Sequence, residues 1–287
     1  MMTFADIEKQ YLKNLDNLYP IEEARTLFRI ALEKVTALSF AAYSSSRNEM
    51  ASPSIVTKMF DILEKLVTGQ PIQQIIEEAY FYGAVFHVSR DTLIPRSETE
   101  ELVHLILTDY QHVSGLDIID IGTGTGCIAL TLARKMQQAR IWAMDVSHEA
   151  LTIAKTNAEK QQQDVRFILG DILEWEVIFD QQQQFDIIVS NPPYITPKEK
   201  SAMHSNVLDF EPADALFVTE EAPLLFYDHI ADFALVHLKA NGCLYFEINQ
   251  YLGQETIDLL KKKGFRQVTL YKDMSGADRM IAARRLS

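Results

Sequence analysis

At 287 residues, with 47% hydrophobic and 23% charged, the chain has the length of about two ordinary domains and enough apolar residues for a sizeable core. Its net charge of -13 argues against a protein whose affinity comes from covering many nucleic-acid phosphates, so direct nucleic-acid binding is not expected. The two cysteines, Cys127 and Cys243, lie in apolar segments outside any C-x-x-C pattern, and the seven histidines show no ligand spacing; buried thiols in a reducing compartment and no metal are expected. The start, Met1 to Glu8, lacks a basic stretch followed by an apolar core, and no apolar run approaches the ~20 residues of a membrane span. A cytoplasmic protein that does not touch a membrane is the expectation.

Residues 3 to about 78 read as a small helical bundle. Ile21, Ala24, Leu27, Phe28, Ala31 and Val35 recur at intervals of three and four, and Met59, Ile62, Leu63 and Leu66 repeat the pattern after Pro53. Gly69-Gln70-Pro71 interrupts the bundle, and one more short helix is expected before the chain extends at Tyr80-Phe81-Tyr82-Gly83. Aromatic and β-branched residues from there to Leu93-Ile94-Pro95-Arg96 predict a hairpin. The expected organisation is a helical domain over 1–78, a hairpin linker over 79–95 and an α/β domain over 96–287. Glu98-Thr99-Glu100-Glu101 then suits the first turn of a helix, where the dipole favours negative charge.

From Leu116 onward strands and helices alternate. Leu116 to Ile121 predicts a strand, Gly122-Thr123-Gly124-Thr125-Gly126 a glycine loop and Cys127 to Met136 a helix, which together open a Rossmann-like unit. The G-x-G-x-G spacing omits one residue of the dinucleotide fingerprint, which favours a loop receiving the methionine part of S-adenosylmethionine over a pyrophosphate cradle. The next strand, Arg140 to Met144, ends at Asp145, where a carboxylate suits both ribose hydroxyls or, alternatively, a turn or helix cap. After a third strand, Val165 to Leu169, Asp171 or a neighbouring amide is placed for an adenine edge and Ile172 for its face; a capping role for Asp171 fits equally.

The fourth strand, Phe185 to Ser190, leads directly into Asn191-Pro192-Pro193-Tyr194. Two prolines fix φ and remove two donors, which leaves the Asn191 amide and the Pro192 carbonyl as rigid polar groups beside an aromatic ring. Such a loop is able to accept both hydrogens of a flat NH2 group; the alternative is a proline-stiffened turn. Beyond it, Leu224, Leu225, Ile230 and Leu238 predict a helix, and Cys243 to Ile248, Phe265 to Leu270 and Arg279 to Ala282 complete seven strands. Glu211 and Glu247 are compatible with facing a substrate cleft, but the surface is the preferred place for a carboxylate.

These residues, with Glu211-Pro212, Ala215-Leu216, Lys272-Asp273, Gly276, Asp278 and Arg279, give the chain a resemblance to the peptide chain release factor N5-glutamine methyltransferases over nearly its whole length. The resemblance implies an α/β class I methyltransferase: a Rossmann-like seven-stranded sheet with a small N-terminal helical bundle joined by a β-hairpin. It implies S-adenosyl-L-methionine as cofactor, S-adenosyl-L-homocysteine as product, and release factors as partners, methylated on the glutamine amide of their Gly-Gly-Gln tripeptide. Gly122, Thr123, Gly124, Thr125, Gly126, Asp145, Asp171, Ile172 and Asn191 would then bind the cofactor. Asn191, Pro192, Pro193 and Tyr194 would hold the substrate amide, with the helical domain recognising the substrate. Ser97, Gln74 and the stretch Val218 to Ala222 depart from the family's usual proline, tyrosine and glycine-rich residues. Two alternatives stand beside this reading. An adenine N6-methyltransferase acting on DNA or RNA would use the same Asn-Pro-Pro-Tyr grip, and the acidic balance counts against it. A non-catalytic binding module of the same fold is countered by the intact glycines, Asp145 and Asn191.

Overall fold

The computed structural model describes residues 2–136, 138–202 and 205–285. The chain divides into two compact units, one of Met1–Glu78 with His204–Phe210 and one of Ala79–Met203 with Glu211–Ser287. Among the described residues no helix is long and apolar enough to cross a membrane.

The first unit is helical, with helices at Phe4–Leu15, Ile21–Thr36, Phe40–Ser46, Pro53–Val67, Ile72–Ile76 and Ser205–Phe210. Thr3 opens the first helix with a capping box: its hydroxyl accepts from the Asp6 amide and the Asp6 carboxylate accepts from the Thr3 amide, satisfying two otherwise orphan donors. Except for Ile21, which opens its helix exposed to solvent, the faces read from the spacing of three and four meet in one core, where Tyr11 and Phe28 pack edge to face at 5.3 Å and the Tyr11 hydroxyl donates to the Met59 carbonyl. Ser205–Phe210 returns to this unit from far along the chain. Gln74 Nε2 donates to the Phe210 carbonyl at 2.8 Å, and Asn206 Nδ2 donates to the Tyr19 hydroxyl at 2.9 Å.

The boundaries therefore differ from the expected ones in two places. The hairpin, strands β1 (Glu78–Phe81) and β2 (Ala84–His87), is no linker, because Phe81 and Phe86 are buried in the core of the second unit. Residues 205–210 leave the α/β unit and join the helical one. Neither is visible in local periodicity, since both follow from which distant residues bury an apolar side chain.

The second unit is built on a seven-stranded sheet of β3 (Asp117–Ile121), β4 (Arg140–Asp145), β5 (Arg166–Leu169), β6 (Phe185–Ser190), β7 (Leu238–Glu247), β8 (Arg266–Lys272) and β9 (Asp278–Arg284), in the order β5-β4-β3-β6-β7-β9-β8. β3 to β7 run parallel and β9 is antiparallel to both its neighbours. Helices cover the two faces, so β3 is buried along its whole length and reads as an apolar run instead of an alternation. Leu238, expected in a helix, is instead the first residue of β7, after the helix Leu225–His237 ends. Strand order reverses about β3, from which β4 and β5 extend one way and β6 and β7 the other. That is the switch point at which open sheets leave a crevice beyond the carboxyl ends of their strands.

Candidate active site

The loops leaving β3 and β6 emerge side by side. Ile121 pairs with Ser190 at the ends of the two strands, and the buried Ser190 hydroxyl donates to the Ile121 carbonyl at 2.7 Å. A cavity of about 170 Å³ lies beyond them, lined by the loops after β3, β4, β5 and β6 and by the segment 91–96.

The β3 loop is shaped by backbone donors. Gly122 and Thr123 both donate to the Met144 carbonyl, and the Thr123 hydroxyl donates to the buried Asp120 carboxylate at 2.6 Å. Gly124 N–H donates to Asp145 Oδ2 at 2.8 Å, and Ser147 N–H donates to Asp145 Oδ1 at 2.9 Å. The helix His148–Gln161 is capped by Ser147, whose hydroxyl accepts from the Ala150 amide, so Asp145 is no helix cap. Burial raises the Asp145 carboxyl above its ordinary value, opposed by the backbone N–H groups it accepts. Thr125 is buried, and its carbonyl accepts from Asn157. Gly122 and Gly124 line the cavity with open space where a side chain would begin, whereas at Gly126 an added Cβ would meet Leu130 at 3.2 Å and Ala154 at 3.3 Å.

Asp171 and Ile172 line the same cavity from the end of β5. The Asp171 carboxylate accepts from the Leu173 amide at 2.9 Å, capping a short 3₁₀ turn, and Ile172 is buried. That cap uses Oδ1 of the carboxylate, and Asp171 lines the cavity as well.

The β6 loop is held by side chains. Asn191 Nδ2 donates to the Thr99 hydroxyl at 3.2 Å, and that hydroxyl donates to Glu247 Oε2 at 2.6 Å. The Tyr194 hydroxyl donates to Glu247 Oε1 at 3.1 Å. Asn249 Nδ2 donates to the Tyr194 carbonyl at 3.0 Å and to the Glu199 carboxylate, and Ile195 pairs with Phe217. Burial pushes the Tyr194 phenol well up, reinforced by the Glu247 charge. Among the described residues nothing donates to Asn191 Oδ1 or to the Pro192 carbonyl. Pro192 is buried and Pro193 half-buried against the cavity.

Glu211 and Glu247 correct the surface expectation, being 6% and 1% exposed. Each is buried because polar donors converge on it. Glu211 accepts from the Ile94 amide and from the Arg96 guanidinium, tying down the strap that lines the cavity. Glu247 accepts from Thr99 and Tyr194, and burial raises its pKa while those two bonds and Arg279 pull it down. Thr99 and Asn249 are residues at the cavity's edge for which the sequence offered no role, and Glu247, weighed for the cleft, was left to the surface. The one available signal was that Glu247 ends a parallel strand, where ligands bind in this architecture.

The Methyltransferase small domain family matches residues 99–211, which span Thr99, the glycine loop and Asn-Pro-Pro-Tyr. Among solved structures, a methyltransferase from Pyrococcus furiosus superposes with a TM-score of 0.52 at 17% identity, over 78% of this chain and 97% of that one, and supports the fold. The release factor glutamine methyltransferase of Flavobacterium psychrophilum is 43% identical over 283 residues, 98% of each chain. That of Bacteroides thetaiotaomicron is 39% identical, over 95% of this chain and 97% of the relative. At that identity, over the helical unit as well as the sheet, this chain belongs to the release factor glutamine methyltransferase family.

Proposed function

We propose that this protein transfers a methyl group from S-adenosylmethionine to the side-chain amide nitrogen of the glutamine in the Gly-Gly-Gln tripeptide of a peptide chain release factor. The residues that line the cavity suit the cofactor. Asp145 offers a half-buried carboxylate with lone pairs left after two backbone bonds, Ile172 offers an apolar wall, and the open space at Gly122 and Gly124 leaves the β3 loop free for close approach. The bound cofactor supplies an electrophilic methyl on a sulfonium. Everything else falls to the chain's own residues.

The observation that carries the reading is a pair of acceptors beside that cavity, Asn191 Oδ1 and the Pro192 carbonyl, on a loop stiffened by two prolines. An amide nitrogen is a weak nucleophile, its lone pair being delocalised into the carbonyl. Accepting its two hydrogens at fixed points holds it in line for attack and stabilises the positive charge that develops on it. Tyr194 and Pro193 close the slot around the flat group. The helical first unit is assigned to recognition of the release factor, and the protein to the cytoplasm, where that partner is made.

Mass spectrometry of an unmethylated release factor, incubated with this protein and S-adenosylmethionine, tests the assignment. One added methyl on the Gly-Gly-Gln glutamine is expected. Transfer to adenine in DNA or RNA instead, with the release factor unchanged, overturns it.

A further inference from the structure

We propose that Glu247, acting through Thr99, is a positioning residue that fixes which end of the Asn191 amide faces the substrate. This deepens the functional reading above and rests on it. Asn191 has two ends of nearly equal shape and opposite chemistry, and only the oxygen end grips an NH2 group. With the amide turned over, its N–H groups would oppose those of the substrate.

The direction of the hydrogen-bond chain removes that ambiguity. An ionised carboxylate only accepts. Glu247 is buried, and both its oxygens act as acceptors, the pattern of an ionised carboxylate: one accepts a hydrogen bond from the Thr99 hydroxyl at 2.6 Å and the other from the Tyr194 hydroxyl at 3.1 Å. The single hydroxyl proton of Thr99 is therefore committed to Glu247, which leaves Thr99 only lone pairs to offer Asn191. The end of Asn191 that bonds them, at 3.2 Å, is its NH2. The oxygen end is then turned away from Thr99, free for the substrate. One carboxylate thus sets the polarity of the Asn191 side chain and, through Tyr194, holds the far wall of the same slot.

The test replaces Thr99 by valine, which keeps the shape and deletes the hydroxyl, and by serine, which restores it. Steady-state methylation of a release factor is measured alongside cofactor binding by calorimetry. Thr99→Val is expected to lower kcat at least about tenfold, with the KM for the release factor and the cofactor Kd each within about threefold of the parent. Thr99→Ser is expected to return kcat to within about threefold. If valine prevents folding, Thr99→Ala, which adds no bulk, is read in its place. A kcat that stays within threefold of the parent without the hydroxyl overturns the proposal. So does a serine variant as slow as the valine one, because packing alone would then explain the loss. If the parent itself places no methyl on the glutamine, the functional reading fails first, and the wild-type control separates the two failures.

Discussion

The two loops that frame the cavity are held in different ways. The β3 loop is fixed by partners close in sequence: Thr123 reaches Asp120 three residues away, and Gly124 reaches Asp145 twenty-one residues on. The β6 loop is fixed by partners drawn from the whole unit, since Thr99 is 92 residues from Asn191 and 148 from Glu247, and Asn249 is 55 from Tyr194. The proposed cofactor side is a local motif in which glycine backbone does the shaping. On the proposed substrate side a polar network is assigned to orienting one amide, so its failure should appear in turnover before it appears in binding.

Asn191→Ala is the strongest way to sharpen that contrast. Removing an acceptor that acts on developing charge should lower kcat by about 10³-fold, with cofactor affinity within about threefold. Single-turnover methylation and cofactor titration on the same preparation check it, and a variant that keeps a tenth of the parent's kcat would remove Asn191 from the chemistry. Asp120, beneath the β3 loop, tests the other side through pH. Burial pushes its carboxyl up to about 7, with the Asp145 charge adding and the Thr123 and Ala129 bonds opposing. Its folded pKa lies above its unfolded one, so the folded state binds more protons between them, and the stability the group contributes declines as pH rises from about 4 to about 7. At about 1.4 kcal/mol per pH unit, the parent should lose of the order of 3 kcal/mol more than Asp120→Asn between pH 5 and pH 8 in urea denaturation. Parallel pH profiles for the two proteins would show that Asp120 is ionised throughout.

The same contrast explains what the sequence made legible. Residues 116–136 declare strand, turn and helix within one window, and Asp145 falls at the strand end where the proposed ribose-binding acid is expected. Asn191-Pro192-Pro193-Tyr194 is equally visible, because two prolines after a β-branched strand admit few conformations. Glu247 was invisible as a partner. Whether an acid at a strand end meets solvent or two hydroxyls depends on Thr99, whose neighbours Glu98, Glu100 and Glu101 look like ordinary helix-start residues. The return of 205–210 to the helical unit was hidden for a similar reason: six residues carry too little periodicity to name a distant core.

Asp145→Ala should move binding and leave chemistry nearly alone. A charge-assisted hydrogen bond to a ribose hydroxyl contributes about 1.5–3 kcal/mol, so the cofactor Kd should rise about 10- to 100-fold. At saturating cofactor kcat should fall less than about fivefold. Calorimetry and saturation kinetics give the two numbers separately, and a kcat loss as large as the Kd change would place Asp145 with Asn191 and erase the distinction between the loops.

The smallest effects divide the β3 loop itself. Gly124 and Gly126 have φ of +54° and +79°, and alanine in the left-handed region costs roughly 1–2 kcal/mol at either position. Their surroundings differ. At Gly126 the new methyl would press on Leu130 and Ala154 at 3.2 and 3.3 Å, wedging the helix Cys127–Lys135 away from the helix His148–Gln161, so Gly126→Ala should be the less stable of the two in thermal unfolding. At Gly124 nothing lies within 4 Å, and the methyl would stand in the cavity next to the N–H that holds Asp145. Gly124→Ala should therefore lose more cofactor affinity than stability, and the reverse ranking would mean that the open space in front of Gly124 does not receive the cofactor.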